Sequence, residues 1–161
     1  MSIHGAMVGA DAPDFNLLDH TGSQVSLKSM LQHGPVFLVF YPGDFTFVCT
    51  KQLCDYRDNQ SMFKDFGVQV VGVSSDPCPK HREFREKFQL PFQLLCDPEK
   101  ETARNYGCTS LLMLGGISRA VFIVGRNGKI AYRYVEPTSL SRRKADEIGE
   151  ILKDLREKGI I

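Results

Sequence analysis

The chain has no long run of like charge. Its 20 lysines and arginines stand against 19 aspartates and glutamates, a net charge of +1, so the basic stripe that nucleic acid or an anionic membrane surface would need is missing. No stretch stays apolar for the roughly 18 residues that crossing a bilayer takes. Met1-Ser-Ile-His-Gly-Ala6 has no basic segment followed by an apolar one, so we expect no signal peptide and a cytoplasmic protein. No repeat, low-complexity tract or linker interrupts the sequence. Its 161 residues suit a single domain, 1–161, large enough to bury a core. Metal spacing is missing too. Of the five cysteines, at 49, 54, 78, 96 and 108, the first two enclose four residues, and no second close pair or His-x3-His follows. A structural zinc site is therefore not expected, nor any other cofactor. An odd number of cysteines without a leader points to free thiols in a reducing compartment. His4, His20, His33 and His81 sit among polar or turn residues and should be solvated.

What the sequence does have is concentrated between residues 36 and 58. Val36-Phe-Leu-Val-Phe-Tyr41 is an unbroken apolar run, the pattern of a strand buried on both faces. Pro42 and Gly43 end it, Asp44 to Thr46 make a short polar connection, and helical spacing follows. Cys49 is thereby placed just past the carboxyl end of a central strand, in the first turn of a helix. That is where open α/β sheets hold ligands, and where unpaired N–H groups and the helix dipole favour an anion. A thiol in that position should ionise below its usual value of about 8.5. A second cysteine, Cys54, follows five residues later.

The remaining elements frame this stretch. Phe15 to Leu18 and Gln24 to Leu27 flank Asp19-His-Thr-Gly22 and read as an N-terminal hairpin, followed by a helical turn over 28–32. The spacing predicts a helix from Phe47 to Phe66 with Gly67 past its end, a buried strand over 68–74, and a helix opened by Pro77 and Pro79 through Phe88. A short strand at 92–95 and a short helix at 99–106 come next. Arg126-Asn-Gly128 should join strands 119–124 and 129–134 as a hairpin. The last helix, Ser141 to Lys158, should be capped by Ser141, with Ile148, Ile151, Leu152 and Leu155 on one face. Alternating strands and helices followed by an antiparallel pair make an α/β fold with a mixed central sheet and helices on both faces.

Several of these residues resemble one family. Pro42-x3-Thr46-x2-Cys49 resembles the active-site motif of the peroxiredoxins, Ala12-Pro13-Asp14-Phe15 their N-terminal segment, and Val73-Ser74-Ser75-Asp76 the end of their next strand. Ser118-Arg119-Ala120 resembles the strand that carries their active-site arginine. Cys54 followed by Asp-Tyr-Arg-Asp58 is most similar to the Q-type, or bacterioferritin comigratory, group. Two features depart from that group: Asp44-Phe-Thr-Phe-Val48 reads like the typical two-cysteine branch, and Gln52 stands where that branch has a glutamate that orients arginine.

The resemblance implies a thioredoxin-like fold and a thiol peroxidase. Cys49 would attack hydrogen peroxide or an organic hydroperoxide and become a sulfenic acid. Cys54 would resolve it as an intramolecular disulfide, and thioredoxin or a similar dithiol would reduce the disulfide. Arg119 would hold the peroxide and stabilise the thiolate. The Thr46 hydroxyl would bond both, and Pro42 would shield the site from water. Cys78 could be a second resolving thiol but reads more simply as an incidental loop cysteine; Cys96 and Cys108 read as packing. With no cysteine after 108, we expect no C-terminal resolving thiol. The acting unit should be a monomer or weak dimer. Two other readings are a thioredoxin-like disulfide reductase, which C-x4-C in place of C-x-x-C disfavours, and a sensor or chaperone switched by Cys49 oxidation.

Overall fold

A computed structural model describes residues 6–110 and 115–161; His4 lies outside them. The apolar run at 36 forms β3 (Val36–Phe40), whose five residues are all buried. It is flanked by parallel β4 (Gln69–Ser74), beyond which lies parallel β5 (Gln93–Cys96). On its other side lies antiparallel β8 (Ala120–Val124), which turns back into β9 (Ile130–Val135). The hairpin β1 (Asn16–Asp19) and β2 (Gln24–Ser26) adds to β5, giving the order β2-β1-β5-β4-β3-β8-β9. A separate ribbon pairs β6 (Thr109–Ser110) with β7 (Gly116–Ile117).

Both faces of this mixed sheet are covered because side chains of a strand alternate. Phe37, Val39 and Tyr41 point into one core with α2 (Phe47–Asp58), α3 (Gln60–Asp65), α4 (Cys78–Phe88) and α6 (Ala145–Glu157). Leu38 and Phe40 point into the other, with α1 (Leu27–Leu31) and α5 (Glu101–Asn105). Phe37 stacks on Phe63 at 5.5 Å and meets Tyr56 edge-on at 5.2 Å, which fixes α2 and α3 to the central strand.

Two predicted boundaries differ. The helix expected over 47–66 breaks at Asn59, whose backbone leaves the helical region (φ −114°, ψ 24°) while its side-chain amide donates to the Asp55 carbonyl at 2.9 Å. A short polar side chain that competes for backbone partners favours such a break. Ser141 does not cap the last helix, which begins at Ala145. Carboxylates do that work instead: Asp55 accepts from the Ala145 N–H at 2.8 Å and Glu147 from the Lys144 N–H at 2.9 Å.

Candidate active site

The carboxyl end of β3 leads through Tyr41 to Thr46 into α2, and the third residue of that helix is Cys49, fully buried. Arg119 directly precedes β8. Because Ala120 pairs with Phe40, the arginine is delivered to the same edge of the sheet. Its Nη1 lies 3.0 Å from Cys49 Sγ and 3.0 Å from Gln52 Oε1, and its Nη2 donates to the Ser139 carbonyl at 3.1 Å. The side chain is 3% exposed, and its Nε has no partner among the described residues. Gln52 is held in turn: its Nε2 donates to the Tyr56 hydroxyl at 3.0 Å, which donates to the Arg143 carbonyl at 2.6 Å. Burial pushes the Tyr56 phenol well above its ordinary range, so it stays a neutral donor. Cys49, Gln52 and Tyr56 thus form one line down α2, and each member orients the next toward the sulfur.

The other candidates sit around this line. Thr46 is exposed, and its hydroxyl donates to the Gly43 carbonyl at 2.9 Å rather than to the sulfur, so its oxygen can still act as an acceptor. Pro42 is half-buried at the start of the loop and offers no N–H. Cys54 is a half-buried free thiol on the same helix. Burial raises its pKa, with Arg57 pulling the other way and Asp58 adding to the rise. Beside Arg119 opens a cavity of about 340 Å³ lined by Ser118, Glu136, Thr138 and Ser139. A larger cleft of about 630 Å³, between Asn16 and Asn105, touches none of these residues.

This geometry can be set beside known proteins. A model of the AhpC/TSA family matches residues 8–133. The chain belongs to the AhpC/TSA family. Peroxiredoxin Q, chloroplastic, of Oryza sativa subsp. japonica is 37% identical over 148 residues, covering 92% of this chain and 66% of its own length. Its counterpart in Arabidopsis thaliana is 38% identical over 126 residues, 78% of this chain and 58% of that protein. The chain therefore spans two thirds or less of the length of these relatives. Among solved structures, peroxidoxin BcpB from Mycobacterium tuberculosis superposes with a TM-score of 0.83 at 30% identity over 94% of this chain and 97% of that one. A peroxiredoxin Q structure from Xanthomonas campestris shares the fold, with a TM-score of 0.77 at 23% identity over 89% of this chain and 90% of that one. The fold is the thioredoxin-like one of these neighbours.

In this AhpC/TSA chain, three residues bear on the site that the sequence reading did not place there. Gln52, noted only as a departure, supplies the carbonyl that holds Arg119; Tyr56 and Ser139 complete its setting. The spacing of 49, 52 and 56 on one helical face was the available signal. Ser139 gave none, since it meets Arg119 through a backbone carbonyl 20 residues away.

Three expectations are corrected. Cys78 and Cys96, read as incidental and packing thiols, are joined in a disulfide, while Cys49, Cys54 and Cys108 are free. His81 is not solvated but fully buried, with its ring nitrogens 2.6 Å from Asp44 Oδ2 and 3.0 Å from the Leu95 carbonyl. His20 is 8% exposed, and burial lowers its pKa, helped by the Arg85 charge. Ligand-type atoms of Asp44, Asp76 and His81 approach within 4.8 Å of one another. They are already bonded: Asp44 to Tyr41 and His81, and Asp76 to Lys80, Ser74 and the Asp44 N–H.

Proposed function

We propose that this protein is a thiol-dependent peroxidase acting on hydrogen peroxide and organic hydroperoxides. The observation that carries the reading is the buried guanidinium placed 3.0 Å from the Cys49 sulfur at the start of a helix. An attacking sulfur needs negative charge, and the leaving oxygen develops it; one fixed cation serves both. The thiolate attacks one peroxide oxygen, the O–O bond breaks, and the other oxygen leaves as alkoxide or hydroxide and takes a proton. Cys49 becomes a sulfenic acid. The Arg119 Nε, which has no partner among the described residues, and the lone pairs of Thr46 would hold the two oxygens, and Pro42 would keep water from the loop side.

Cys54 then attacks the Cys49 sulfur, water leaves and a disulfide forms, which a dithiol donor such as thioredoxin reduces. On an ideal helix five residues rise about 7.5 Å and turn about 500°, so the two Cα atoms stand about 8.7 Å apart. A disulfide tolerates about 7 Å. The continuous helix Phe47–Asp58 is thus the reduced, peroxide-ready form, and resolution requires it to unwind. The contacts among Cys49, Gln52 and Arg119 need no partner copy, and we take a monomer or weak dimer as the acting unit. Three free thiols suit a reducing setting, and we place the protein in the cytoplasm; the plant relatives are named chloroplastic.

The test couples peroxide consumption to thioredoxin, its reductase and NADPH. The protein should turn over, Cys49→Ser should abolish turnover, and Cys108→Ser should leave most of it. Substantial turnover by the Cys49→Ser variant would refute the mechanism.

A further inference from the structure

The disulfide between Cys78 and Cys96 includes neither Cys49 nor Cys54, both free thiols, yet it is built against the loop that positions Cys49. Strands β3, β4 and β5 run parallel, so their carboxyl ends share one edge of the sheet. Cys49 follows the first, Cys78 the second, and Cys96 ends the third. Cys78 opens α4 between Pro77 and Pro79, and its bond to Cys96 ties the first turn of that helix to β5. One turn on, His81 is clamped between the Leu95 carbonyl and Asp44 Oδ2.

Asp44 belongs to the active-site loop and is 2% exposed. It takes the Tyr41 hydroxyl at 2.6 Å on its other carboxylate oxygen, and its own N–H donates to Asp76 Oδ2 at 2.6 Å, two residues before Cys78. The next residue, Phe45, is held at φ +64° and lays its ring on Phe84 at 5.0 Å and on Phe88 at 6.3 Å. Every one of these anchors except Tyr41 lies on α4 or the segment leading into it. The loop that delivers Cys49 therefore takes its position from α4, whose first turn is tied to β5 by the disulfide while Phe84 in the core and the Arg85 Nε bond to the Phe92 carbonyl at 3.0 Å hold the rest of the helix.

We propose that Cys78–Cys96 is a second redox centre, separate from Cys49 and Cys54, and that its reduction by a dithiol releases the loop Pro42–Thr46. Cys78 is half-buried and Cys96 is 5% exposed, so an incoming thiolate reaches the Cys78 sulfur first. It forms a mixed disulfide there as the S–S bond breaks and Cys96 leaves as a thiolate, which takes a proton. The donor's second thiol attacks its own sulfur in the mixed disulfide and frees Cys78. Two electrons and two protons pass from donor to protein, and the donor is left as a disulfide. With the tie gone, the His81 contact with the Leu95 carbonyl is the hydrogen-bonding link left between the first turn of α4 and β5 among the described residues, and the Asp44 and Phe45 contacts loosen with it. The consequence for catalysis rests on the peroxidase reading given above; the reduction and the release of the loop do not.

The experiment uses the full chain carrying Cys49→Ser, so that no disulfide at residue 49 can form. The protein is equilibrated in dithiothreitol buffers of graded potential, trapped by alkylation and mapped by mass spectrometry. The pair should pass reversibly between bonded and alkylated forms as a two-electron couple while the protein stays folded. Exchange of the Asp44 amide, which is bonded to Asp76 only in the clamped loop, should quicken at least tenfold on reduction. A pair that resists reduction until the protein is denatured, or an Asp44 amide equally protected in both forms, overturns the proposal. In chains retaining Cys49, Cys96→Ser should slow oxidation of Cys49 by hydrogen peroxide several-fold, whereas Cys108→Ser should not; equal rates would detach the centre from the site. If even the oxidised wild type leaves peroxide untouched, the functional reading fails, and the titration and the Asp44 amide still decide on the switch.

Discussion

Arg119 divides one guanidinium between a sulfur, an amide oxygen and a backbone carbonyl, and that division fixes where its charge lies. Arg119→Ala should slow sulfenic acid formation at Cys49 by about 10²- to 10³-fold, the usual loss of a preorganised donor, about 2.7–4 kcal/mol. Rapid-mixing measurements with hydrogen peroxide would read this directly, and an unchanged rate would remove the arginine from the mechanism. Cys54 makes a different prediction. Burial raises its folded pKa above the ordinary thiol value, so folding favours the protonated thiol. This contribution is whole below the ordinary thiol range, near 8.5, and is lost as pH climbs through the raised value. Alkylation of Cys54 by iodoacetamide in the reduced protein should accordingly show a midpoint above that of a free cysteine, and α2 should open more readily in alkali. Sequence alone made Cys49 and Arg119 conspicuous, because a thiol at a helix start and an arginine ahead of an apolar strand are local patterns. It hid His81, whose neighbours Lys80, Arg82 and Glu83 are charged. The signal was its spacing: His81 stands three residues before Phe84 on the buried face of α4.

At the level of elements, the proposed cycle would set α2 two opposed demands. Its peroxide step would need Phe47–Asp58 wound, since winding sets the Cys49–Gln52–Tyr56 line against Arg119; its resolving step would need it unwound. Amide exchange from Phe47 to Tyr56 should therefore be slow in the reduced protein and fast once the Cys49–Cys54 disulfide forms, as mass spectrometry of peptides would show. Equal protection in both forms, or peptide mapping that pairs Cys49 elsewhere, would exclude Cys54 as the resolving thiol. The break at Asn59 limits the cost, because α3 and its anchor Phe63 can stay on β3 while α2 opens. Periodicity ran through Asn59 without interruption, which is why the break was invisible in the sequence; it depends on a side chain competing for the Asp55 carbonyl. The Cys78–Cys96 bond was illegible for another reason. It depends on β4 and β5 lying side by side, and spacing along the chain does not say which strands are neighbours.

For the whole molecule, the central strand carries both cores and the site. Phe37→Ala would remove a fully buried ring in contact with Tyr56 and Phe63 and should cost about 3–5 kcal/mol, read by urea unfolding. Because Tyr56 steadies Gln52, the same variant should also slow Cys49 oxidation while the protein is still folded. A change below 1 kcal/mol would mean that the core refills the space.

Cys49 and Arg119 lie 70 residues apart in the chain. At a synthesis rate of about 5–20 residues per second, roughly 3.5 to 14 s separate the appearance of the thiol from that of its cation. Even then the arginine reaches the sulfur only when β8 has closed on β3, a long-range pairing that must first meet its loop-closure cost. A nascent chain thus carries the nucleophile without the group that arms it. Long sequence separation would here act as a timer: on the proposed cycle, the cysteine would meet peroxide in its armed form only after the fold that can repair its oxidation is complete.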